Sequence, residues 1–350
     1  MVPSPPGIAP GQRFRFEHYL DAMAEKGIRY KISPYYSVKG RRSLYTKSGM
    51  LAKALVIAKG YLRRITDLLV LWRYDYVYVH KEVTPVGPPV FPWVAVKIFR
   101  KKLIYDFDDA IWIPIMSDYN RRFSFLKNFS QVAKLCRWSY KVTVGNAYLK
   151  EYAAQYNRNV VIIPTVVDTE KTHNILQQQE TERPAIGWTG SFSTLSYLEI
   201  VLPVLRELQE ELDFTFYVIA DKDPQLPLSN YRFIRWQRET EVQDLLKFHI
   251  GLMPLRNDEF SKGKCGFKAI QYMSLGIPAV VSPVGVNAGI VLHGENGFVC
   301  NTPEEWKACL LSLLRDTSLR KKFGAAARER IENNYSVKSS SDLFFDLFIE

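Results

Sequence analysis

The sequence predicts an α/β protein made of two doubly wound, Rossmann-like domains. Short apolar strands alternate with amphipathic helices, the pattern of parallel sheets with crossover helices. The alternation runs to Asp168, pauses over a polar, Gln-rich stretch, and then starts again. Charge divides at nearly the same place. Residues 1–165 hold 27 Lys+Arg against 11 Asp+Glu, a net of +16, whereas residues 166–350 hold 20 against 25, a net of −5. The expected organisation is a first domain over 1–168, a linker over 169–183, a second domain over 184–336, and a last helix over 337–350 that returns to the first domain.

Composition narrows the class. At 350 residues, 47% hydrophobic and 24% charged, the chain has a soluble globular profile with room for two domains. No apolar run is long enough to span a bilayer. Met1-Val2-Pro3-Ser4-Pro5-Pro6 lacks the basic and apolar regions of a secretion signal. Cys136, Cys265, Cys300 and Cys309 show no Cys-x-x-Cys spacing, which argues against zinc and a disulfide framework and for a reducing cytosol. The expected location is cytoplasmic. No Gly-x-Gly-x-x-Gly follows a strand, which argues against a nicotinamide oxidoreductase.

In the first domain, a Pro/Gly loop over residues 5–11 precedes a helix over 13–26 that stops at Gly27. Such domains normally open with a strand, and none precedes this loop. Either the sheet lacks its first strand or the start is set too late, and the second is expected. Residues 28–35 are strand-like, and 39–73 are basic and mostly helical. Strands follow at 76–80, 103–107, 141–144 and 160–164, with helices at 90–101, 127–140 and 147–156 between them. In the second domain, strands are expected at 185–190, 214–220, 231–236, 250–255 and 279–281. Helices are expected within 191–212, over 240–248 with Thr240 as cap, and over 303–314, 318–333 and 341–348.

Residues 263–283 carry the strongest functional signal. A glycine-bracketed loop with Lys264 leads into a short helix, which stops at Gly276-Ile277-Pro278 before a strand. First-turn amides of a helix are unsatisfied donors, and the helix dipole favours negative charge there. Lys264 and Lys268 are four apart and so expected on one side, with Gln271 three further on. Phe267, Ile270 and Met273 or Ser274 are expected to pack inward. The segment reads as a phosphate-binding place at a sheet edge. Two facing doubly wound domains would put the ligand in the cleft between them, at the carboxyl ends of the strands.

The second half resembles the donor domain of family 4 glycosyltransferases, whose fold is GT-B. The resemblance rests on Gly187-Trp188-Thr189-Gly190-Ser191, Gly251-Leu252-Met253-Pro254-Leu255, Lys264-Cys265-Gly266-Phe267-Lys268, and Gln271-Tyr272-Met273-Ser274-Leu275-Gly276-Ile277-Pro278. Ser282-Pro283-Val284-Gly285-Val286-Asn287, Gly294-Glu295-Asn296-Gly297-Phe298 and Glu304-Glu305-Trp306 follow in order. The first half is a looser match. It rests on Gly7-Ile8-Ala9-Pro10-Gly11-Gln12-Arg13-Phe14-Arg15, Asp106-Phe107-Asp108-Asp109-Ala110-Ile111-Trp112, Asn146, and Ile163-Pro164-Thr165-Val166-Val167-Asp168.

The resemblance implies a retaining, metal-independent hexosyl transfer from a nucleotide sugar, without a cofactor, to a glycan or lipid-linked acceptor in cell-surface glycan synthesis. It places the donor near Gly11, Arg13, Gly190, Ser191, Trp236, Lys264, Cys265, Gly266, Phe267 and Gln271. Two glutamates eight apart are usual in the family, the second on the ribose. Here those positions are Gly263 and Gln271, and an amide can still hydrogen-bond a ribose hydroxyl. The family's basic pair after the first strand is also missing, and Gly190-Ser191-Phe192-Ser193 stands there. Lys264 and Lys268 are expected to take the phosphate role, with Lys268 catalytic. Asp108 and Asp109 could orient a hydroxyl or cap the next loop. Arg13 and Arg15 could meet a phosphate or be solvated. His80 is read as structural, and Trp236 as base-binding or packing. Asp106, Asp108 and Asp109 are a weak metal candidate, with no histidine near them in sequence.

The basic patches at Lys39-Gly40-Arg41-Arg42, Arg63-Arg64, Arg100-Lys101-Lys102 and Arg121-Arg122 fit peripheral binding to an anionic inner membrane face. The alternative to an enzyme is a non-catalytic basic module for a membrane, polyanion or nucleic acid. No nucleic-acid motif is present, so nucleic acid is not an expected partner.

Overall fold

The computed structural model describes residues 1–45, 49–114 and 129–349. The chain divides into two compact units, Met1–Pro164 with Ser341–Glu350, and Thr165–Ser340.

The first unit holds a four-stranded parallel sheet of β1 (Tyr76–His80), β2 (Lys102–Phe107), β3 (Lys141–Val144) and β4 (Val160–Ile162), paired in that order. Its strands are apolar runs, as strands covered on both faces require. Asn146 caps the Ala147–Ala154 helix by accepting the Leu149 N–H at 2.9 Å. The last helix, Val337–Phe345, leads into a 3₁₀ turn, Asp346–Phe348. There Phe344 stacks on Tyr19 at 4.2 Å, and Phe348 meets Tyr76 edge-on at 5.6 Å.

Two expectations differ in this unit. Residues 13–26 do not form one helix but Pro10–Arg13, a 3₁₀ turn Glu17–Tyr19, and Leu20–Glu25. Gln12, Phe14, Arg15, Phe16 and Tyr19 are all buried, more directions than one helical face can serve. Residues 28–35 form no strand. Met1 and Val2 lie instead in a ladder position between β1 and residues 33–35. Met1 donates to the Tyr78 carbonyl at 2.6 Å and accepts from the His80 N–H at 3.3 Å, while Val2 exchanges bonds with Ser33 and Tyr35. A cavity of about 1100 Å³ is lined by Arg29–Ser33, Tyr74–Tyr78 and Phe344.

The second unit holds a six-stranded parallel sheet, β5 (Ala185–Thr189), β6 (Thr215–Ala220), β7 (Tyr231–Arg235), β8 (Ile250–Met253), β9 (Ala279–Val281) and β10 (Gly297–Val299). The spatial order is β10-β9-β8-β5-β6-β7. Strand order therefore reverses between β5 and β8, where doubly wound sheets bind ligands at their carboxyl ends. Trp188, Phe216, Leu252, Trp306 and Phe323 belong to one buried core. A full capping box, Thr302 with Glu305, opens Pro303–Arg315, and Asp316 caps Thr317–Asn334. Thr240 is no such cap, because its hydroxyl bonds Asp244 at 2.7 Å.

Close approach sets the position of the Phe267–Ser274 helix. A Cβ at Gly251 in β8 would lie 2.2 Å from the Tyr272 ring, and one at Gly187 in β5 would lie 2.1 Å from Phe248. Just past the C-terminus of the helix, Gly324 meets the Gly276 carbonyl, 2.3 Å from where its Cβ would stand. Gly251→Ala should therefore destabilise the protein by about 1–3 kcal/mol, as overpacking does in dense cores. Urea denaturation measures this, and an unchanged midpoint would contradict the packing account.

Candidate functional site

In the first unit, the functional candidates gather at the carboxyl ends of β1 and β2. At the base is Asp106, 1% exposed. Its Oδ1 pairs with Arg15 and accepts the Thr143 hydroxyl at 2.6 Å, and its Oδ2 lies 2.7 Å from His80 Nδ1. Arg15 also donates to the Ile163 carbonyl. Burial works to raise the Asp106 pKa, but Arg15 and His80 outweigh it and hold the carboxyl well below its usual range. An ionised carboxylate can only accept, so His80 Nδ1 carries a proton. In the neutral ring Nε2 is then an acceptor, and it lies 3.9 Å from where a Gly11 Cβ would stand.

Above this base, Lys81 adopts a left-handed backbone, φ 57°. Its Nζ bridges Asp108 at 2.7 Å and Asp109 at 2.6 Å. Burial opposes the Lys81 charge, yet the two carboxylates raise its pKa overall. A Cβ at Gly11 would meet Asp108 Oδ2 at 3.4 Å and Lys81 Nζ at 3.6 Å. The structure thus brings Gly11, His80, Lys81, Asp108 and Asp109 together. Lys81 and His80 were not read as site residues, because nothing local in the sequence places either one beside the aspartates. Arg15 is not solvated, since it completes the Asp106 pair. Asp106 is occupied on both oxygens, and a histidine does lie beside it. Arg13 has its guanidinium 4.4 Å from the Phe14 ring centre.

In the second unit, the Phe267–Ser274 helix starts beyond β8 at the reversal of strand order. Its N-cap is Gly266, φ 68°, a left-handed conformation suited to glycine. A Cβ there would strike Ile290 at 2.0 Å and reach within 3.6 Å of Asn287 Oδ1. The Tyr272 hydroxyl accepts the Thr189 N–H at 2.9 Å and so ties the helix to the end of β5. Gly190 follows, with the Trp188 ring 2.5 Å from the place of its Cβ. Lys268 Nζ sits 5.6 Å from that Trp188 ring centre. Lys264 precedes the helix, so the four-residue spacing does not align it with Lys268. Its Nζ lies instead 4.6 Å from Phe260 and 5.9 Å from Tyr197.

Gln271, expected on the ribose, and Asn287 are both buried polar groups. Gln271 Nε2 and Asn287 Oδ1 find no hydrogen-bond partner in the protein. Such groups are costly unless a ligand or water satisfies them. Asn287 was noted only within the resemblance, since a single Asn after a strand carries no chemical signal of its own. Cys265 is buried, its Sγ 3.8 Å from the Gly263 carbonyl. Ser191 is exposed, and the next residue, Phe192, donates its N–H to Asp221 at 2.6 Å. Trp236 is half-buried after β7, its Nε1 donating to Glu241 at 3.2 Å. Among the described residues, no group of three or more His, Cys, Asp or Glu is placed to hold a metal ion.

Residues 183–316 match the family described as glycosyl transferases group 1. The chain is similar to trehalose synthase of Pyrococcus horikoshii, 22% identical over 317 residues that span 81% of this chain and 71% of that one. In fold it is similar to a glycosyltransferase from Rickettsia africae, with a TM-score of 0.67, 12% identity, and coverage of 100% of this chain and 98% of that one. It is also similar to Anabaena HepE in complex with UDP and glucose, with a TM-score of 0.65, 14% identity, and coverage of 100% and 98%. The fold is GT-B.

Asp106→Asn should cost about 3–5 kcal/mol in urea denaturation, because it leaves the Arg15 guanidinium buried without its counter-charge. The folded carboxyl titrates below the free value of about 3.9, so it stabilises the fold above that pH and the contribution is lost in stronger acid. The variant should therefore lose less stability than the parent between about pH 4 and about pH 2. Equal acid slopes would contradict the assignment of Asp106 as an ionised partner of Arg15.

Proposed function

We propose that this chain, with its group 1 glycosyl transferase domain on a GT-B fold, moves a hexose from a nucleoside diphosphate to a hydroxyl of a glycan or glycolipid. The carrying observation is the start of the Phe267–Ser274 helix. It combines a glycine N-cap at the reversal of strand order, the Lys268 ammonium, and two buried amide atoms, Gln271 Nε2 and Asn287 Oδ1, without protein partners.

In the reaction, the bond from the anomeric carbon to the diphosphate oxygen breaks, and its electron pair leaves on the phosphate. An acceptor hydroxyl bonds that carbon and gives its proton to the leaving diphosphate oxygen. Negative charge grows on the leaving group, where preorganised donors are worth about 2.7–4 kcal/mol each. First-turn amides after Gly266, together with Lys268 and Lys264, supply that stabilisation. Gln271 holds the ribose through its free amide hydrogens, and Trp236 contributes to the base site. In the other unit, Asp108, Asp109 and the Gly11 loop orient sugar hydroxyls. Retention of the anomeric configuration and a role in cell-surface glycan synthesis follow from the family 4 resemblance. No helix among the described residues is long and apolar enough to cross a membrane. The basic first unit supports a peripheral place on an anionic inner membrane face.

Lys268→Ala should lower turnover by roughly 100-fold or more while changing stability by about 0.5 kcal/mol or less. Near-normal turnover would remove Lys268 from the reaction. A thermal-shift panel of uridine, guanosine and adenosine diphosphates and their sugars tests the donor class. At 100 times its dissociation constant, the right nucleotide adds about 2.7 kcal/mol of stability. No shift with any of them would favour a non-catalytic module on this fold.

A further inference from the structure

The Met50–Leu69 helix is built inside out. Its buried residues are Gly60, Arg64 and Asp67. Tyr35 lies over Gly60, its ring 2.3 Å from where a Cβ would stand. Arg64 pairs with Asp67 at 3.0 Å and donates to the carbonyls of Val2, Ser33 and Val83. The fully buried positions are thus small or polar, with Val56 and Ile57 half-buried beside them. On the opposite side of the helical wheel, Leu51, Leu55, Leu62, Ile65 and Leu69 form one stripe, at the spacing of a buried apolar face. All five are exposed, Leu51 at 77%, Leu62 at 61% and Leu69 at 70%. Trp72, 70% exposed just beyond the helix, extends the stripe.

Cations border it. Lys59 and Arg63 are exposed on the wheel beside the stripe. The Arg73 guanidinium lies 6.0 Å from the Trp72 ring centre, and Lys101 donates to the Trp72 carbonyl at 3.3 Å. The one acid of the helix, Asp67, is turned inward to Arg64. The neighbouring Val90–Lys97 helix, in contact through Phe91 and Tyr61 at 5.9 Å, leaves Trp93 exposed as well. Of the basic patches read from sequence, Arg64 is withdrawn into the core, and Arg121-Arg122 lie outside the described residues.

We propose that this face docks the first unit on an anionic lipid bilayer, with the Met50–Leu69 helix lying in the interfacial plane. The inference refines the membrane reading above and rests on it. An apolar stripe edged by Lys and Arg matches the boundary between acyl chains and headgroups, where tryptophan is also favoured. The lipid phosphates supply the negative charge that the helix's outer face lacks. A second copy of the same face is a poorer partner. Two-fold symmetry would set Lys59, Arg63 and Arg73 against the same cations, with no acid of the helix to separate them.

Co-sedimentation of the full chain tests this, with vesicles of phosphatidylcholine alone and with about one third phosphatidylglycerol. Partition onto the anionic vesicles should exceed that onto neutral ones by about tenfold or more. The double variant Leu62→Glu/Leu69→Glu should lose about tenfold or more of that binding, while its melting temperature and its donor turnover with a soluble acceptor match the parent. Equal partition onto both vesicles would overturn the proposal, as would full binding by the double variant. So would light scattering that shows a dimer broken by these substitutions, which would make a second copy the occupant. Loss of donor turnover with vesicle binding intact would support docking and count against the glycosyl-transfer reading.

Discussion

The contact between Tyr272 and Gly251 is the constraint on which the second unit's site depends. The ring occupies the space of a missing side chain on β8, and the hydroxyl accepts a backbone N–H at the end of β5. One residue therefore ties the Phe267–Ser274 helix to both strands that flank the reversal of order. Gly324 against the Gly276 carbonyl packs the same C-terminal end of the helix, and Ile290 against Gly266 packs its start. A helix held this closely at both ends presents its first-turn amides in a set direction. Preorganised donors of this kind act without reorganising during reaction, which is where their catalytic value lies.

The first unit uses charge where the second uses close packing. Asp106 reacts with nothing in this account. It is enclosed, and its role is to orient Arg15 and His80 beneath the Gly11 loop. A buried ion pair contributes little net stability over an apolar equivalent but penalises any arrangement that leaves one partner unpaired. The result is a defined floor under Lys81, Asp108 and Asp109, which are polar groups suited to sugar hydroxyls.

Much of the fold was legible because buried parallel strands are continuous apolar runs with little ambiguity. The strand at 76–80 has the expected bounds, and the helix expected over 303–314 runs Pro303–Arg315. The start of the 267 helix was legible from glycine and lysine chemistry. Long-range pairing was not. Arg15 and Asp106 are 91 positions apart, so their bond could not be read from a local pattern. A four-residue spacing aligns two side chains only within a helix, and Lys264 lies in the loop before it, so its pairing with Lys268 does not hold. The leucine stripe on Met50–Leu69 has the period of a core face, and periodicity cannot say which side the core lies on. The inward ion pair of Arg64 with Asp67 decides that, and it is visible only in three dimensions.

A crystal structure of the protein with UDP or its sugar would show whether the start of the Phe267–Ser274 helix binds the donor diphosphate. The diphosphate oxygens should lie within hydrogen-bond reach, about 2.7–3.2 Å, of the amides that follow Gly266, with the Lys268 ammonium turned onto them and Gln271 Nε2 on the ribose. A nucleotide bound away from that helix, or a Lys268 that stays on the Trp188 ring while the site is full, would contradict that assignment.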